Sequence, residues 1–541
     1  MSLRKIIFFA VFSGLFCLST AIKFIGIDDP FFGAHQFRQL HTLSNIDSYE
    51  DHDVDFLKYK INYEPWPSNK LYEAPLFQYS MFLLSKYTGE TLITSRTVNI
   101  FFGIITSLFV FYIGRILFNT VVGLYGTLFY LVSPISLLFH PSVLPDILSA
   151  LCGTVAFFLL VQITRGDNHK VTVFLYILTG SMAAMIKAVY LFPVTLFFLF
   201  HFFQSIKRDN FLGSVVDYFK YNYLVVLYTS IIFLSLVAWI AVTILHDGNS
   251  MVLLHAGKIE PNALKLIKTL LSRILLDLGN PFVFLLYSIG ILSLIKIKKS
   301  PENLVLLTIV PVYYFMFPIN YPHEYYSVIL VPFFATVAGC GAHDVERLLE
   351  TNHLIKSGSN IRVIFVTMAA FVSFFLFFKD NIFSIFSSSK RYHEISQKVG
   401  NILEKHQYAY LFMNSDAKFP DDDPFYKATD FMARITKRKF LSSEWNLDSN
   451  KEARKEILIQ NYYGREPAIM YALGQYGGVN VVEEAGVGNA LDVLGDELYA
   501  HYRYIIFYKF DRSATMEKFL KQNCCKRIIE SDDWLVYDTK S

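Results

Sequence analysis

Apolar runs of about 20 residues recur along positions 1–380 of this chain. A helix of that length crosses the hydrocarbon core of a bilayer with all of its backbone polar groups bonded internally. With 53% hydrophobic and 18% charged residues, the composition lies far from that of soluble proteins. The sequence therefore predicts an α-helical polytopic membrane protein with about 11 transmembrane helices, near 6–25, 94–117, 120–139, 145–164, 171–187, 188–205, 222–245, 281–297, 303–319, 325–343 and 361–378.

The Lys and Arg residues between these spans predict an orientation. With the N-terminus in the cytoplasm, the short outside loops 140–144 and 320–324 contain neither residue type, as the positive-inside rule requires. The first segment has no clear small-x-small cleavage site, so we expect an uncleaved first helix. The expected location is the plasma (inner) membrane, with several passes. A net charge of +3 is too small to indicate nucleic acid as a partner.

The chain changes character after residue 380. Residues 390–541 have an ordinary charge density and no spanning segment. Short apolar runs predict strands at 408–413, 504–508 and 534–537, and helices are predicted at 449–461 and 512–522. We therefore expect a transmembrane domain over 1–380 and a small extracytoplasmic soluble α/β domain over 381–541. A shorter apolar stretch, 72–87, predicts a helix lying in the membrane interface.

The first outer loop opens with the acidic pair Asp28-Asp29, followed by Pro30. Asp29 at an N-cap with Pro30 at the first helical position is an ordinary helix start. A carboxylate at the apolar rim of a site can also take a proton from a hydroxyl as a general base. Two adjacent carboxylates allow both roles, so each is a candidate for either.

Four polar residues follow at three- and four-residue spacing and share one helical face: His35, Arg38, Gln39 and Thr42. Such a face is either solvated or turned toward the part of the protein inside the membrane. In the second case Arg38 is suited to hold a phosphate in bidentate fashion.

Two ionisable residues lie within or at the end of apolar spans, where an unpaired charge is costly. Lys187 lies in the run Met185–Val189, and Asp146 follows Leu144-Pro145. Lys187 could extend its ammonium to the interface, or neutralise a lipid phosphate together with Arg38. Asp146 could cap a helix or face an acceptor.

The motif that opens the predicted span 325–343 contains His323, Glu324, Tyr325 and Tyr326. The tyrosines fit the aromatic belt of a membrane interface. His323 and Glu324 are not explained by that belt, and we expect them to form hydrogen bonds to sugar or phosphate.

No metal motif stands out, because the sequence contains neither HExxH nor CxxC. A divalent ion on Asp28, Asp29 and Asp146 stays an open alternative. No other cofactor is predicted.

These motifs together resemble the membrane glycosyltransferases of the GT-C fold. The resemblance is to bacterial relatives of the protein O-mannosyltransferases and aminoarabinose transferases, the glycosyltransferase family 39-like group. The features that carry it follow in chain order: the acidic pair with the HQFRQ run, Tyr72-Glu73-Ala74-Pro75-Leu76, Leu144-Pro145-Asp146, Lys187, His323–Tyr326 leading to Pro332, and an outside C-terminal domain.

The resemblance implies roles for these residues. In that family an acidic residue of the first outer loop is the catalytic base, and basic residues hold the phosphate of a polyprenyl-phosphate sugar. It implies Asp28 or Asp29 as the base, although the common pair there is Asp-Glu. It also implies phosphate-binding residues (Arg38, Lys187 and His323) and further site residues (His35, Gln39, Glu73, Asp146, Glu324, Tyr325 and Tyr326).

The implied reaction is an inverting transfer of a sugar on the extracytoplasmic face. Its partners are a polyprenyl-phosphate-linked donor, the bilayer, and a glycan, lipid or protein acceptor. A transporter or flippase for lipid-linked sugars is one alternative, and a polymerase or ligase is another. No internal repeat is visible and the ionisable residues crowd one face, which counts against a transporter.

Overall fold

The computed structural model describes residues 3–28, 36–49, 56–57, 73–206, 211–247, 278–279, 281–297, 300–316, 324–352, 367–368, 371–372, 408–414, 476–482, 504–508, 526–530 and 534–538. The chain divides into two compact units. Unit 1 comprises Met1–Asp28 and Leu71–Phe383, and unit 2 comprises Asp29–Lys70 and Ser384–Ser541. The predicted domain boundary at residue 380 stays a prediction.

Helices make up the described part of unit 1. Numbered along the whole chain, the described α-helices are α1 (Leu3–Ile22), α2 (Gln36–Asp47), α3 (Leu76–Thr88), α4 (Thr91–Leu117), α5 (Thr120–Val132), α6 (Pro134–Phe139), α7 (Asp146–Thr164), α8 (Lys170–Ile186), α9 (Phe192–Ser205), α10 (Phe211–Tyr221), α11 (Tyr223–Asp247), α12 (Pro281–Lys296), α13 (Pro301–Met316) and α14 (Val331–Thr351). Helix α2 belongs to unit 2. Short 3₁₀ helices cover Ala188–Leu191 and Glu324–Leu330.

Most of the predicted spans are found as apolar helices. Within the described residues, five helical stretches are long and apolar enough to cross a bilayer: Thr91–Leu117, Asp146–Thr164, Ala188–Ser205, Tyr223–Leu245 and Tyr325–Thr351. Shorter apolar helices cover Ala10–Ile22, Thr120–Val132, Lys170–Ile186, Pro281–Lys296 and Pro301–Met316. The predicted span 361–378 lies mostly outside the described residues, so the predicted number of spans stays a prediction.

Prolines interrupt two of the predicted spans. The predicted span 120–139 is divided into α5 and α6 at Pro134, which is the first residue of α6. The predicted span 325–343 begins as a 3₁₀ helix and becomes α14 only at Val331, with Pro332 in its first turn. Proline cannot donate a backbone hydrogen bond and disfavours helical geometry in the preceding residue. Each span is therefore broken at the point where the chain can change direction.

Helix α7 runs between two ion pairs. It begins at Asp146, whose carboxylate contacts the Lys187 ammonium. At its other end Arg165 contacts Glu302, the second residue of α13, at 3.0 Å. The 19 residues of α7 correspond to a rise of about 28 Å. That length is close to the roughly 30 Å of a bilayer core, so the two ion pairs lie about one membrane thickness apart.

Glycines bring α12 and α14 into close contact. A Cβ added to Gly341 of α14 would overlap the carbonyl oxygen of Leu286 in α12, and one on Gly290 of α12 would overlap the carbonyl oxygen of Val337 in α14. Small residues allow this approach of two backbones, which is the usual basis of helix packing in membranes. The 3₁₀ helix Glu324–Leu330 leads directly into α14 and packs against α6 and α7.

The described part of unit 2 consists of α2 and a five-stranded sheet. The strand order is β2-β1-β3-β5-β4. β1 (Tyr408–Asn414) pairs in parallel with β2 (Tyr476–Val482) and β3 (Tyr504–Tyr508), and β5 (Trp534–Asp538) pairs antiparallel with β3 and β4 (Lys526–Glu530).

Three of these strands correspond to the predicted runs. The predicted strands 408–413, 504–508 and 534–537 are observed as β1, β3 and β5. β2 and β4 were not predicted, and in β2 the adjacent glycines Gly477 and Gly478 weaken the strand pattern. The predicted helices 449–461 and 512–522 lie outside the described residues. The α/β assignment of this domain therefore stays a prediction.

Replacing Gly341 by alanine should lower the free energy of unfolding by about 1–3 kcal/mol, because the new methyl group forces the α12 and α14 backbones apart. The measurement is thermal or SDS-induced unfolding of the purified protein in detergent. The control is Gly14→Ala in α1, where no atom lies within 4 Å of the added Cβ. Equal stability of the two variants would contradict this account of the packing.

Candidate active site

A buried ion pair lies where α7 begins. Asp146 is 0% exposed, and the Lys187 Nζ donates to its two carboxylate oxygens at 2.6 and 2.8 Å. The carboxylate also lies in the first turn of α7, where the helix dipole favours a negative charge. An isolated charge at this depth is energetically costly. Each of the two residues can be buried because the other neutralises its charge.

Lys187 lies at a break in the apolar segment 171–205. Helix α8 ends at Ile186, Lys187 itself is extended, and one 3₁₀ turn leads from it to α9. In a continuous helix its side chain would follow the helix surface. The break allows the chain to turn the ammonium toward Asp146, and 13% of the Lys187 side chain stays exposed.

Tyr190 ties this pair to a third segment. Its hydroxyl lies 2.8 Å from Asp146 Oδ1 and 3.1 Å from the carbonyl oxygen of Tyr325. A hydrogen bond also joins the 3₁₀ helix Glu324–Leu330 to α13: the Tyr313 hydroxyl donates to the carbonyl oxygen of Tyr326 at 2.8 Å. The ion pair is therefore connected to a segment far away in the sequence.

Two aromatic rings face the ammonium. The Lys187 Nζ lies 4.6 Å from the ring centre of Tyr326 and 5.0 Å from that of Tyr325. A cation over aromatic faces is stabilised by the ring quadrupoles. Tyr325 is buried and Tyr326 is only partly buried, so Tyr326 forms the accessible side of this contact.

The segment before α3 approaches the same place. The backbone N–H of Ala74 donates to the carbonyl oxygen of Met185 at 3.2 Å, one residue before the end of α8. The neighbouring Glu73 is buried and accepts a hydrogen bond from Gln78 Nε2 at 2.9 Å. Four predicted site residues therefore meet in unit 1, and the Ala74–Met185 hydrogen bond brings the segment that contains Glu73 beside them. Together we call these five residues the Asp146 junction: Glu73, Asp146, Lys187, Tyr325 and Tyr326.

Asp28 lies at the exposed end of the turn that follows α1. The guanidinium of Arg96, near the start of α4, donates to the carbonyl oxygens of Gly26 and Ile27 at 3.0 and 3.1 Å. Gly26 has a φ of 67°, which a glycine adopts without strain. Arg96 is completely buried and thus fixes the backbone directly before Asp28.

In unit 2, helix α2 carries Arg38 and Gln39. Arg38 is partly buried and lies 3.3 Å from His41 Nδ1, and Gln39 is buried. Burial, with the nearby Arg38 charge as a second cause, lowers the pKa of His41 to about 3. A neutral His41 can accept the Arg38 hydrogen bond, which orients the guanidinium.

Three predicted site residues, Asp29, His35 and His323, lie outside the described residues. For Glu324 the structure describes only the backbone, which begins a 3₁₀ helix. Within the described residues there is no group of three or more His, Cys, Asp or Glu side chains that could hold a metal ion. Because Asp29 lies outside them, the alternative of a divalent ion stays open.

The sequence reasoning missed Tyr190 and Arg96. Arg96 could have been noticed as an ionisable residue inside the predicted span 94–117. Tyr190 gives no such signal, because a tyrosine near a membrane interface is common and its partners come from distant segments.

A family model and solved structures resemble this chain. The family model of the dolichyl-phosphate-mannose-protein mannosyltransferases matches residues 72–239, which include Glu73, Asp146 and Lys187. No curated protein sequence matches the chain.

Among solved structures, ArnT from Cupriavidus metallidurans is similar over almost its full length. Bound to undecaprenyl phosphate it gives a TM-score of 0.58 at 10% identity, covering 97% of each chain, and in the apo state it gives 0.56 at 9% identity with the same coverage. The apo oligosaccharyltransferase of Archaeoglobus fulgidus gives 0.51 at 10% identity, covering 92% of this chain and 69% of that one. At such identities the likeness shows the fold.

The resemblance inferred from the sequence is therefore confirmed at the level of the fold. The chain is a multi-pass membrane protein with the GT-C fold, and residues 72–239 match a mannosyltransferase family model. What it transfers, and which residues act, do not follow from this likeness.

Breaking the Asp146–Lys187 pair from one side should destabilise the protein by about 3–5 kcal/mol, because a charge is left buried without its partner. We expect this for Asp146→Asn and for Lys187→Met in thermal or SDS unfolding. The double variant should be more stable than the sum of the two single effects predicts.

The matched control is the pair at the other end of α7. The Arg165 side chain is 42% exposed and that of Glu302 is 8% exposed, so Arg165→Met should cost about 1–3 kcal/mol, less than Lys187→Met. A similar loss for Arg165→Met and Lys187→Met would contradict the special role of the buried pair.

Proposed function

We propose that this protein is a glycosyltransferase that moves a sugar from a polyprenyl-phosphate donor to an acceptor hydroxyl, with inversion at the anomeric carbon. The reaction takes place on the extracytoplasmic face of the plasma (inner) membrane. The acceptor is a glycan, lipid or protein, and the C-terminal domain lies on the same side.

The observation that carries this proposal is the Asp146 junction. Its five residues come from four separate segments between positions 73 and 326, and the family resemblance had named all of them from the sequence. Charged and aromatic groups that converge at one end of a membrane helix are what a site for a lipid-linked sugar requires.

The similar proteins support the lipid-linked donor. The description of the family model names dolichyl-phosphate-mannose, and ArnT has been crystallised with undecaprenyl phosphate. Both are polyprenyl phosphates. This chain shares the GT-C fold with ArnT, and its match to the family model contains the Lys187 break.

In the proposed mechanism, Asp28 or Asp29 acts as general base. One carboxylate accepts the proton of the acceptor hydroxyl while its oxygen attacks the anomeric carbon in line with the leaving group. The bond between that carbon and the phosphate oxygen breaks, and polyprenyl phosphate leaves with the bonding electron pair. A single displacement of this kind inverts the anomeric centre. Arg96 maintains the turn that presents Asp28.

Positive charge is needed where the phosphate leaves. The proposal assigns Arg38, Lys187 and His323 to this role, because preorganised cations lower the energy of the charge that develops there. Because Asp146 already neutralises part of the Lys187 charge, Lys187 would attract the phosphate less strongly than an unpaired lysine. Glu73, Tyr325 and Tyr326 would then line the donor site beside it, and Tyr326 has the accessible ring.

Removing the base should lower turnover by a factor of about 10²–10⁴. We expect this loss for either Asp28→Asn or Asp29→Asn, whichever residue is the base, without a change in thermal stability. The assay is sugar release from a radiolabelled polyprenyl-phosphate sugar by the purified protein in lipid. Asp217→Asn is the control, since Asp217 is an exposed carboxylate on α10.

Two results would contradict the proposal. Wild-type turnover in both Asp→Asn variants would show that neither carboxylate of the first outer loop acts as the general base. Movement of intact donor across the bilayer without bond cleavage would favour the transporter or flippase instead.

A further inference from the structure

Helix α10 connects two of the stretches that are long and apolar enough to cross a bilayer. Ala188–Ser205, which ends with α9, precedes it, and Tyr223–Leu245 of α11 follows it after a single residue. The 11 residues of α10 rise about 16 Å, too little for the roughly 30 Å of a bilayer core. The end of one span and the start of the next therefore hold α10 at one face of the membrane.

One side of α10 packs on the end of α9. Ser214 and Tyr218, which are one turn apart, are its buried residues. The Tyr218 ring meets the Phe202 ring edge-on, with 5.0 Å between the ring centres. The Tyr218 hydroxyl lies 3.1 Å from His201 Nδ1. These contacts fix the rotation of α10 about its own axis.

The span before α10 gives the depth at which α10 is held. It begins directly after Lys187 of the Asp146 junction, with the 3₁₀ turn Ala188–Leu191, and continues as α9. The 3₁₀ turn and the 14 residues of α9 together rise roughly 29 Å. This is about the thickness of a bilayer core. Because α10 packs on the far end of α9, it lies close to the opposite edge of that core.

A second side of α10 is apolar and exposed. Leu212, Val216 and Phe219 follow one another at i, i+4 and i+7 and therefore form one stripe. Their exposed fractions are 76%, 65% and 47%. Asp217 and Lys220 are exposed as well. With 3.6 residues per turn, these two charged residues lie on a third side of the helix.

We propose that α10 lies in the plane of the membrane, at the boundary between headgroups and acyl chains on the face opposite the Asp146 junction. The stripe of Leu212, Val216 and Phe219 inserts among the acyl chains. Asp217 and Lys220 face the headgroups and water. An amphipathic helix with these separate sides is typical of proteins that bind a lipid surface.

Depth and surroundings favour lipid as the partner of the stripe. An exposed apolar patch indicates contact with either a protein or a membrane, and the length of α9 places this patch at the edge of the hydrocarbon. The adjoining ends of both neighbouring spans also expose large apolar side chains, such as Phe203 of α9 and Leu227 of α11. The proposal adds a membrane contact to this protein and does not depend on the sugar transfer.

The proposal is tested by spin labels on the full-length protein, in nanodiscs of phosphatidylcholine and phosphatidylglycerol. Labels are attached to single introduced cysteines. Cys17, Cys524 and Cys525 are first replaced by serine, so that the remaining natural cysteines are the buried Cys152 and Cys340.

Two collision partners report the surroundings of each label. Molecular oxygen concentrates among acyl chains, whereas a hydrophilic nickel complex stays in water. Labels at Leu212→Cys and Val216→Cys should collide preferentially with oxygen. Labels at Asp217→Cys and Lys220→Cys should collide preferentially with the nickel complex. All four side chains are exposed, so the labels should not disturb the packing of α10 on α9.

Two further positions calibrate the measurement. Leu234 is exposed in the middle of α11, so Leu234→Cys should give the collision ratio of a label among acyl chains. Asn168 is exposed in the loop that follows α7, at the end away from Asp146. Asn168→Cys should therefore give the aqueous ratio on the same face as α10.

Three results would overturn the proposal. Preferential collision of the stripe labels with the nickel complex would place the stripe in water. Protection of these labels from both reagents would mean that protein covers the stripe, either a second copy of this chain or another partner. Equal collision ratios for Val216→Cys and Asp217→Cys would mean that α10 does not have an apolar and a charged side in different surroundings.

A stability measurement distinguishes lipid from water independently. In nanodiscs Val216→Ser should lower the melting temperature, because a hydroxyl replaces an apolar group among acyl chains. Valine and serine have similar helix propensities, so the helix itself is little affected. The matched control Asp217→Ser, at the next position, should melt as the wild type. An unchanged melting temperature for Val216→Ser, as expected for a substitution in water, would contradict insertion of the stripe.

Discussion

A carboxylate and an ammonium from residues 41 positions apart neutralise each other at the start of α7. Much of unit 1 depends on this contact, because neither charge could be buried alone. Asp146 can occupy the first turn of a largely buried helix because Lys187 reaches it, and Lys187 can reach it because the chain breaks between α8 and α9. Tyr190, three residues after the lysine, extends the connection to the segment Glu324–Leu330.

Among the described residues of unit 1, the partly buried Lys187 and the buried Lys23 differ in their surroundings. Lys187 has a carboxylate on one side and two tyrosine rings on the other, so its charge is compensated in the free protein. Lys23 has no such compensation within the described residues. A compensated cation can organise a site at little cost to stability, whereas burying an uncompensated one lowers stability.

Hydropathy was sufficient to locate most of the helices, because membrane helices must satisfy their backbone internally and are therefore long and apolar. Proline chemistry predicts helix breaks at Pro134 and Pro332, but a hydropathy average over a window of residues does not detect them. Asp146 and Lys187 were predicted as site residues because a charge in an apolar span is conspicuous. Their pairing was not predicted, since hydrogen-bond partners from distant helices leave no local pattern. For the same reason Tyr190 and the contact of Arg96 with the turn before Asp28 emerged only from the tertiary structure.

The geometry of α7 bears on the choice between an enzyme and a transporter. Its two ion pairs are separated by roughly the thickness of a bilayer core, and they differ in character. At one end the Asp146 junction combines buried charge with aromatic rings and an accessible tyrosine. At the other end Arg165 and Glu302 join the helix to α13 at a partly exposed contact. A transporter needs polar groups along a route between the two faces, whereas the described charges of α7 lie at its ends. A site at one end only is what a reaction on one membrane face requires.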